Sequence, residues 1–149
     1  MTSTNHIPAG TDRISFPDKV VIVHGFGATA HDHWFGWLAD RIPHANVVSL
    51  PDPERPDAAT WIPRVVDAIG QLEAGTAVVA RSLDLSAVRP ALGRSAVLRS
   101  DNDALVPADL SDDFAHQLGI QARVVPGAGH FLDDDGVTEL PAVLKVLHP

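Results

Sequence analysis

The sequence predicts an α/β fold, a three-layer α/β/α arrangement around a mostly parallel sheet of about five strands. Three observations predict it. Short β-branched runs alternate with longer segments of helical spacing, the pattern left by successive βα units. The runs are almost continuously apolar, as strands covered on both faces are. Residues capable of chemistry follow the carboxyl ends of these runs, where open α/β sheets place their ligands.

Taken in order, residues 1–17 are polar and punctuated by Pro8, Gly10 and Pro17, and read as a flexible tail before a single domain spanning 18–149. Strands are expected at KVVIVHG (19–25), ANVVSL (45–50), TAVVA (76–80), SAVLRS (95–100) and QARVVPG (121–127). Between them, 31–42, 57–72, 108–119 and 137–147 carry apolar residues at helical spacing, such as Val65, Ile69 and Leu72, and Gly119 supplies a stop signal. Pro63 and Pro141 suit first helical turns, and Asp133, Asp134 and Asp135 read as a solvated helix start. Trp34, Phe35, Trp37 and Trp61 are placed in the core or lining a groove. From Ala80 to Ser95 the chain has barely the dozen or so residues that a parallel crossover needs, and Pro90 interrupts its helical pattern.

Composition narrows the function. A chain of 149 residues can bury roughly 68–70% of its unfolded surface, enough for a real core. A net charge of −8, spread along the chain, disfavours nucleic acid and anionic membranes as partners and suits small neutral or cationic molecules. With no cysteine there is no disulfide, thiolate nucleophile or Cys-type zinc site. His31 and His33, two apart, would point different ways on a helix and make a poor metal pair, so neither a metal nor an organic cofactor is expected. No stretch resembles a signal peptide or approaches the roughly 18 apolar residues of a membrane span, which suggests a cytoplasmic protein. The sequence leaves its oligomeric state open.

Ser82 follows TAVVA, Asp103 follows SAVLRS within DNDALVP, and His130 follows QARVVPG within GAGHF. Serine, acid and histidine in that order match the α/β-hydrolase triad, in which histidine takes the serine proton and the carboxylate holds the imidazole tautomer. Asp101 is an alternative acid, and Asp103 an alternative cap for the helix beginning near Pro107. His24, Gly25, Phe26 and Gly27, after the first strand, form a loop of the kind that supplies an oxyanion-hole amide.

The segments VVIVHGFGATAHDHWFGWLADRI, LPDPERPDAATW, SDNDALVP and VPGAGHF resemble the small single-domain α/β-hydrolase serine hydrolases related to retinoblastoma-binding protein nine and YdeN. The resemblance covers nearly the whole chain. It implies a reduced α/β-hydrolase fold with Ser82 as nucleophile, His130 as base and Asp103 as acid. It further implies oxyanion donors near Phe26 and Leu83, a groove near His33 and Trp34, and a small-molecule ester or amide substrate.

The sequence departs from that family at the nucleophile. Its pattern of small residue, His, Ser, Leu and Gly is replaced here by Ala80-Arg81-Ser82-Leu83-Asp84. DLSAVRPALGRSAVLRS resembles what the family carries just before its acid-bearing strand, so a helix and a strand, on the order of 30 residues, are expected to be missing between Leu83 and Asp84. This implies lowered or lost turnover. Two other readings predict different behaviour. A catalytically inactive binding module or truncated product would not react with a fluorophosphonate. A dinucleotide-binding protein, suggested by Gly25-Phe26-Gly27-Ala28-Thr29-Ala30 with Asp52 after the next strand, would bind NAD but leave His24, DNDALVP and GAGHF without a role.

Overall fold

The computed structural model describes residues 16–71, 73–81 and 94–148. Its elements run β1 (Lys19–Val23), α1 (Phe35–Ala39), β2 (Ala45–Val48), α2 (Ala58–Ile69), β3 (Thr76–Ala80), β4 (Leu98–Ser100), α3 (Ala108–Gln117), β5 (Arg123–Val125) and α4 (Pro141–Leu147). Every strand pairing is parallel, and the strands form two groups in the orders β2-β1-β3 and β4-β5. Among the described residues no pairing joins β3 to β4. The expected single sheet is thus divided at the chain segment following Arg81, which lies outside the described residues.

β1 occupies the centre because it can be buried on both faces. Val20 and Ile22 pack with Phe35 and Leu38 of α1 and Val143 and Leu147 of α4, while Val21 and Val23 pack with Trp61, Val65 and Ile69 of α2. Alternate side chains of one strand therefore join two helical layers, giving the three layers expected of this pattern. Leu98 and Val125 pack against the first cluster, which brings β4 and β5 onto the same core. Phe16, at the end of the expected tail, also packs there, with its ring 4.2 Å from that of His148. Residues 1–15 lie outside the described residues.

α2 starts where the Asp57 side chain accepts the Ala59 N–H at 3.0 Å, and ends at Gly70, whose φ of 63° leaves the helical region. Pro63 lies inside this helix rather than in its first turn, whereas Pro141 opens α4 as expected. Asp57→Ala should cost about 1 kcal/mol of stability, measured as a lower urea midpoint with an unchanged slope.

α1 is shorter than the expected 31–42. Asp32 Oδ2 takes the Thr29 N–H at 2.6 Å and Thr29 Oγ1 takes the His31 N–H at 3.3 Å, local bonds that compete with a helix. His33, at a φ of 54°, then breaks helical geometry just before Phe35. Asp133, Asp134 and Asp135 do not open a helix either. They lie in a turn closed by Asp135 N–H to Leu132 O and Gly136 N–H to Asp133 O, and α4 begins only at Pro141.

Candidate active site

The carboxyl ends of β4 and β5 carry two loops that lock together. Asp101 Oδ1 accepts the Gly127 N–H at 2.7 Å, Ser100 Oγ the Ala128 N–H at 3.0 Å, and Asn102 Oδ1 the Gly129 N–H at 2.8 Å. Ser100 Oγ also donates to Asn102 Oδ1 at 2.6 Å, which joins two of these rungs. Three consecutive polar side chains, the last of β4 and the two that follow, thus hold three consecutive amides after β5. Buried amides of a loop, as those of Ala128 and Gly129 are, need such partners, because leaving one unsatisfied costs about 1–3 kcal/mol.

The next pair is between side chains. His130 Nδ1 lies 2.8 Å from Asp103 Oδ2, with the two side chains only 15% and 11% exposed. The other oxygen of Asp103 accepts the N–H groups of Leu105 at 2.8 Å and Val106 at 2.9 Å. The two roles considered for Asp103 are therefore compatible, one oxygen shaping the turn toward α3 and the other facing the imidazole. Burial pushes the Asp103 carboxyl up, but the Val106 N–H, the His130 ring and the Leu105 N–H together outweigh it and hold its pKa below the ordinary value. Asp101, bonded to the loop amide, is not the carboxylate at His130.

The loop after β1 faces the same end of the sheet. His24 is fully buried: its Nε2 accepts the Leu50 N–H at 2.9 Å, which places the ring proton on Nδ1, 3.1 Å from Gly25 O. Its ring also meets Trp61 edge-on at 5.8 Å, and Trp61 Nε1 donates to Pro51 O at 2.7 Å. His24 thus ties the loop to the segment after β2 and does not present its side chain to a ligand. Gly25 is buried behind it, and Gly27, at a φ of 68°, gives its N–H to Pro53 O at 2.9 Å. Phe26 projects into solvent, 59% exposed.

His33 Nδ1 lies 2.8 Å from Asp133 Oδ1, linking this loop to the one carrying His130. Trp34 is buried against Phe35, with ring centroids 4.8 Å apart, and belongs to the core rather than to an open groove. Asp32 is held below its ordinary pKa, chiefly by the Thr29 N–H.

Ser82, Leu83 and Asp84 lie outside the described residues. Arg81 directly follows β3, with its N–H on Val23 O at 3.2 Å. Its side chain is buried, and its Nε has no hydrogen-bond partner among the described residues. Burial pushes this guanidinium's pKa down, while the charges of Asp103, Asp133, Asp135 and Asp32 act to raise it. A cation neighbouring these carboxylates was not anticipated from the sequence, although Arg beside the candidate nucleophile was its visible sign.

The dinucleotide reading loses its structural basis. Residues 25–30 lie in turns, and the helix that should start on them, to receive a pyrophosphate, begins only at Phe35 and is five residues long. Among the described residues no group of three or more His, Asp or Glu side chains could hold a metal, and no helix is long and apolar enough to cross a membrane.

Residues 20–94 and 85–149 match the family described as serine hydrolase. YdeN of Bacillus subtilis, named as a hydrolase, is 28% identical over 178 residues, an alignment that takes in 87% of this chain and 94% of YdeN. The crystal structure of the ydeN gene product superposes with a TM-score of 0.77 at 26% identity, covering 87% of this chain and 96% of that one. A YdeN-like protein of Pectobacterium atrosepticum shares the fold with a TM-score of 0.68 at 16% identity, covering 88% of this chain and 92% of its own. The 178-residue alignment exceeds the 149 residues of the whole chain, so YdeN carries residues within it that have no counterpart here. The two segments matched by the family meet over residues 85–94.

Proposed function

The chain belongs to the serine hydrolase family, and from that premise we propose that it cleaves carboxylic esters or amides slowly, through Ser82, His130 and Asp103. The observation that carries this reading is the buried contact of His130 Nδ1 with Asp103 Oδ2 at the carboxyl end of the sheet. An imidazole anchored at Nδ1 by a carboxylate keeps its proton there and leaves Nε2 as the base.

In the proposed reaction Ser82 Oγ attacks the substrate carbonyl as its proton passes to His130 Nε2. The Phe26 and Leu83 N–H groups donate to the oxyanion. Collapse of the intermediate expels the alcohol or amine, which takes the proton from His130, and water then releases the acid by the same route. Asp103 remains a carboxylate throughout.

Slow turnover follows from the segment around the nucleophile. The excess length of the YdeN alignment and the overlap of the two matched segments over 85–94 support a deletion shortly after the nucleophile, which the departure from the family pattern puts at Leu83 and Asp84. Such a deletion removes the helix whose first amides steady the nucleophile and its oxyanion, and losing one oxyanion donor typically costs about 10²- to 10³-fold in kcat.

Incubation with a fluorophosphonate, followed by mass spectrometry, tests the assignment. One adduct on Ser82 is expected, with none in Ser82→Ala. A folded, unlabelled wild-type protein would instead support the non-catalytic binding module, which the replacement of Gly by Asp84 at the elbow favours.

A further inference from the structure

Asp135, four residues before the end of the loop leading to Leu140, is an exposed acid in a run of three, yet its carboxylate turns back onto the candidate base. Asp135 Oδ2 accepts the His130 N–H at 2.7 Å and the Leu132 N–H at 3.2 Å. One oxygen therefore grips the main chain on both sides of Phe131. We infer that Asp135 is the positioning residue of His130, fixing the main chain from which the imidazole reaches Asp103. The kinetic consequence of this inference rests on the triad reading, but the placement of the imidazole does not.

Three features converge on it. The amides of Gly127, Ala128 and Gly129 are held by Asp101, Ser100 and Asn102, and the row of contacts from the acid loop to backbone N–H groups stops there. His130 is thus the first residue of its loop whose N–H is held from elsewhere, and Asp135 holds it. His130 also sits between two residues in left-handed geometry, Gly129 at a φ of 52° and Phe131 at 60°. An aromatic residue rarely adopts that region, so the turn needs fixed contacts to persist. Finally, a Cβ on Gly129 would overlap the Asp135 carboxylate. The glycine leaves room for the acid, and it also supplies a joint about which His130 swings if the acid is removed.

The contacts of Asp135 with His130 and Leu132 are made to main-chain N–H groups, so it acts through the main chain. Because the contact needs one well-placed acceptor oxygen, an isosteric amide should replace the carboxylate, and a longer acid should not.

The test compares Asp135→Ala, Asp135→Glu and Asp135→Asn by NMR of the His130 Nδ1-bound proton, assigned by its loss in His130→Gln. The wild type and Asp135→Asn should keep this downfield signal, while Asp135→Ala and Asp135→Glu should lose it through exchange with solvent. The rate of fluorophosphonate labelling should fall about 10- to 100-fold in the same two variants, the scale expected for a group displaced by about an ångström. Should Asp135→Ala fail to fold, the Glu and Asn pair decides. Retention of the signal and of the labelling rate in Asp135→Glu overturns the inference, and so does their loss in Asp135→Asn. A wild-type protein that shows the expected signals but takes no label supports the placement by Asp135 and overturns the triad reading alone.

Discussion

Asp103→Asn is expected to lower the rate of Ser82 labelling by about 10⁴-fold while leaving the fold intact. The variant keeps an oxygen where Asp103 Oδ1 accepts the Leu105 and Val106 N–H groups, so the turn into α3 retains both bonds. The other position then becomes an NH₂ group facing His130 Nδ1 across 2.8 Å. A donor there requires Nδ1 to be an acceptor, which moves the ring proton to Nε2, the atom that takes the serine proton in the proposed reaction. The side chain keeps its shape, but the tautomer is reversed. Labelling rates of the two proteins, measured beside their circular dichroism spectra, check this expectation.

The same variant has a signature in acid. Asp103 has a folded-state pKa below its ordinary value because the stabilising hydrogen bonds outweigh burial. A depressed carboxyl pKa contributes stability that is complete above the unfolded pKa, about 3.9, and is lost as pH falls through the folded value. Asp103→Asn lacks this contribution, so its stability should decline less than that of the wild type as pH is lowered from 5 to about 2.

Phe35→Ala is expected to cost about 3–5 kcal/mol, the largest stability loss predicted for a single side chain here. Phe35 is fully buried in the cluster containing Val20, Ile22, Leu38 and Val143, so its removal opens a cavity between β1 and two helices on one face. Its ring also meets those of Trp34 at 4.8 Å and His33 at 5.6 Å, edge-on contacts that alanine cannot make. Because α1 has only five residues, it has little helical stability of its own to offset the loss. Urea unfolding followed by tryptophan fluorescence measures the change, which is large beside the 5–15 kcal/mol typical of whole domains.

The most legible parts of the sequence were those governed by burial. KVVIV and TAVVA gave β1 and β3 within two residues, because an unbroken apolar run is what a doubly covered strand requires. α2 was visible through Val65 and Ile69, which share one buried face with Trp61, while Leu72, read with them, lies outside the described residues. Less legible were positions settled by particular polar contacts. The turn at Thr29 and Asp32 shortened α1, although helical spacing continued through it. His24 was legible only as part of a loop supplying an oxyanion amide, and nothing marked its ring as buried by a distant partner, the Leu50 N–H. The order Ser82, Asp103, His130 pointed to the latter two, whose side chains meet in the structure, whereas nothing in the run of three acids distinguished Asp135 from its neighbours. Its role depends on the path of the main chain between residues 129 and 136, which periodicity does not encode. The one available hint was Gly129, a residue without a side chain directly before the histidine.

The row of contacts from Ser100, Asp101 and Asn102 to the amides of Gly127, Ala128 and Gly129 fastens one side of the site independently of the segment that carries Ser82. Asp103 and His130 follow two neighbouring parallel strands, and the contacts described between their loops run directly from one loop to the other. That half is held by its own polar contacts, while Leu98 and Val125 seat it on the core shared with β1. Under the proposed deletion, a helix and strand inserted after Leu83 would meet a carboxylate and an imidazole already 2.8 Å apart, which makes a faster hydrolase a problem of one insertion.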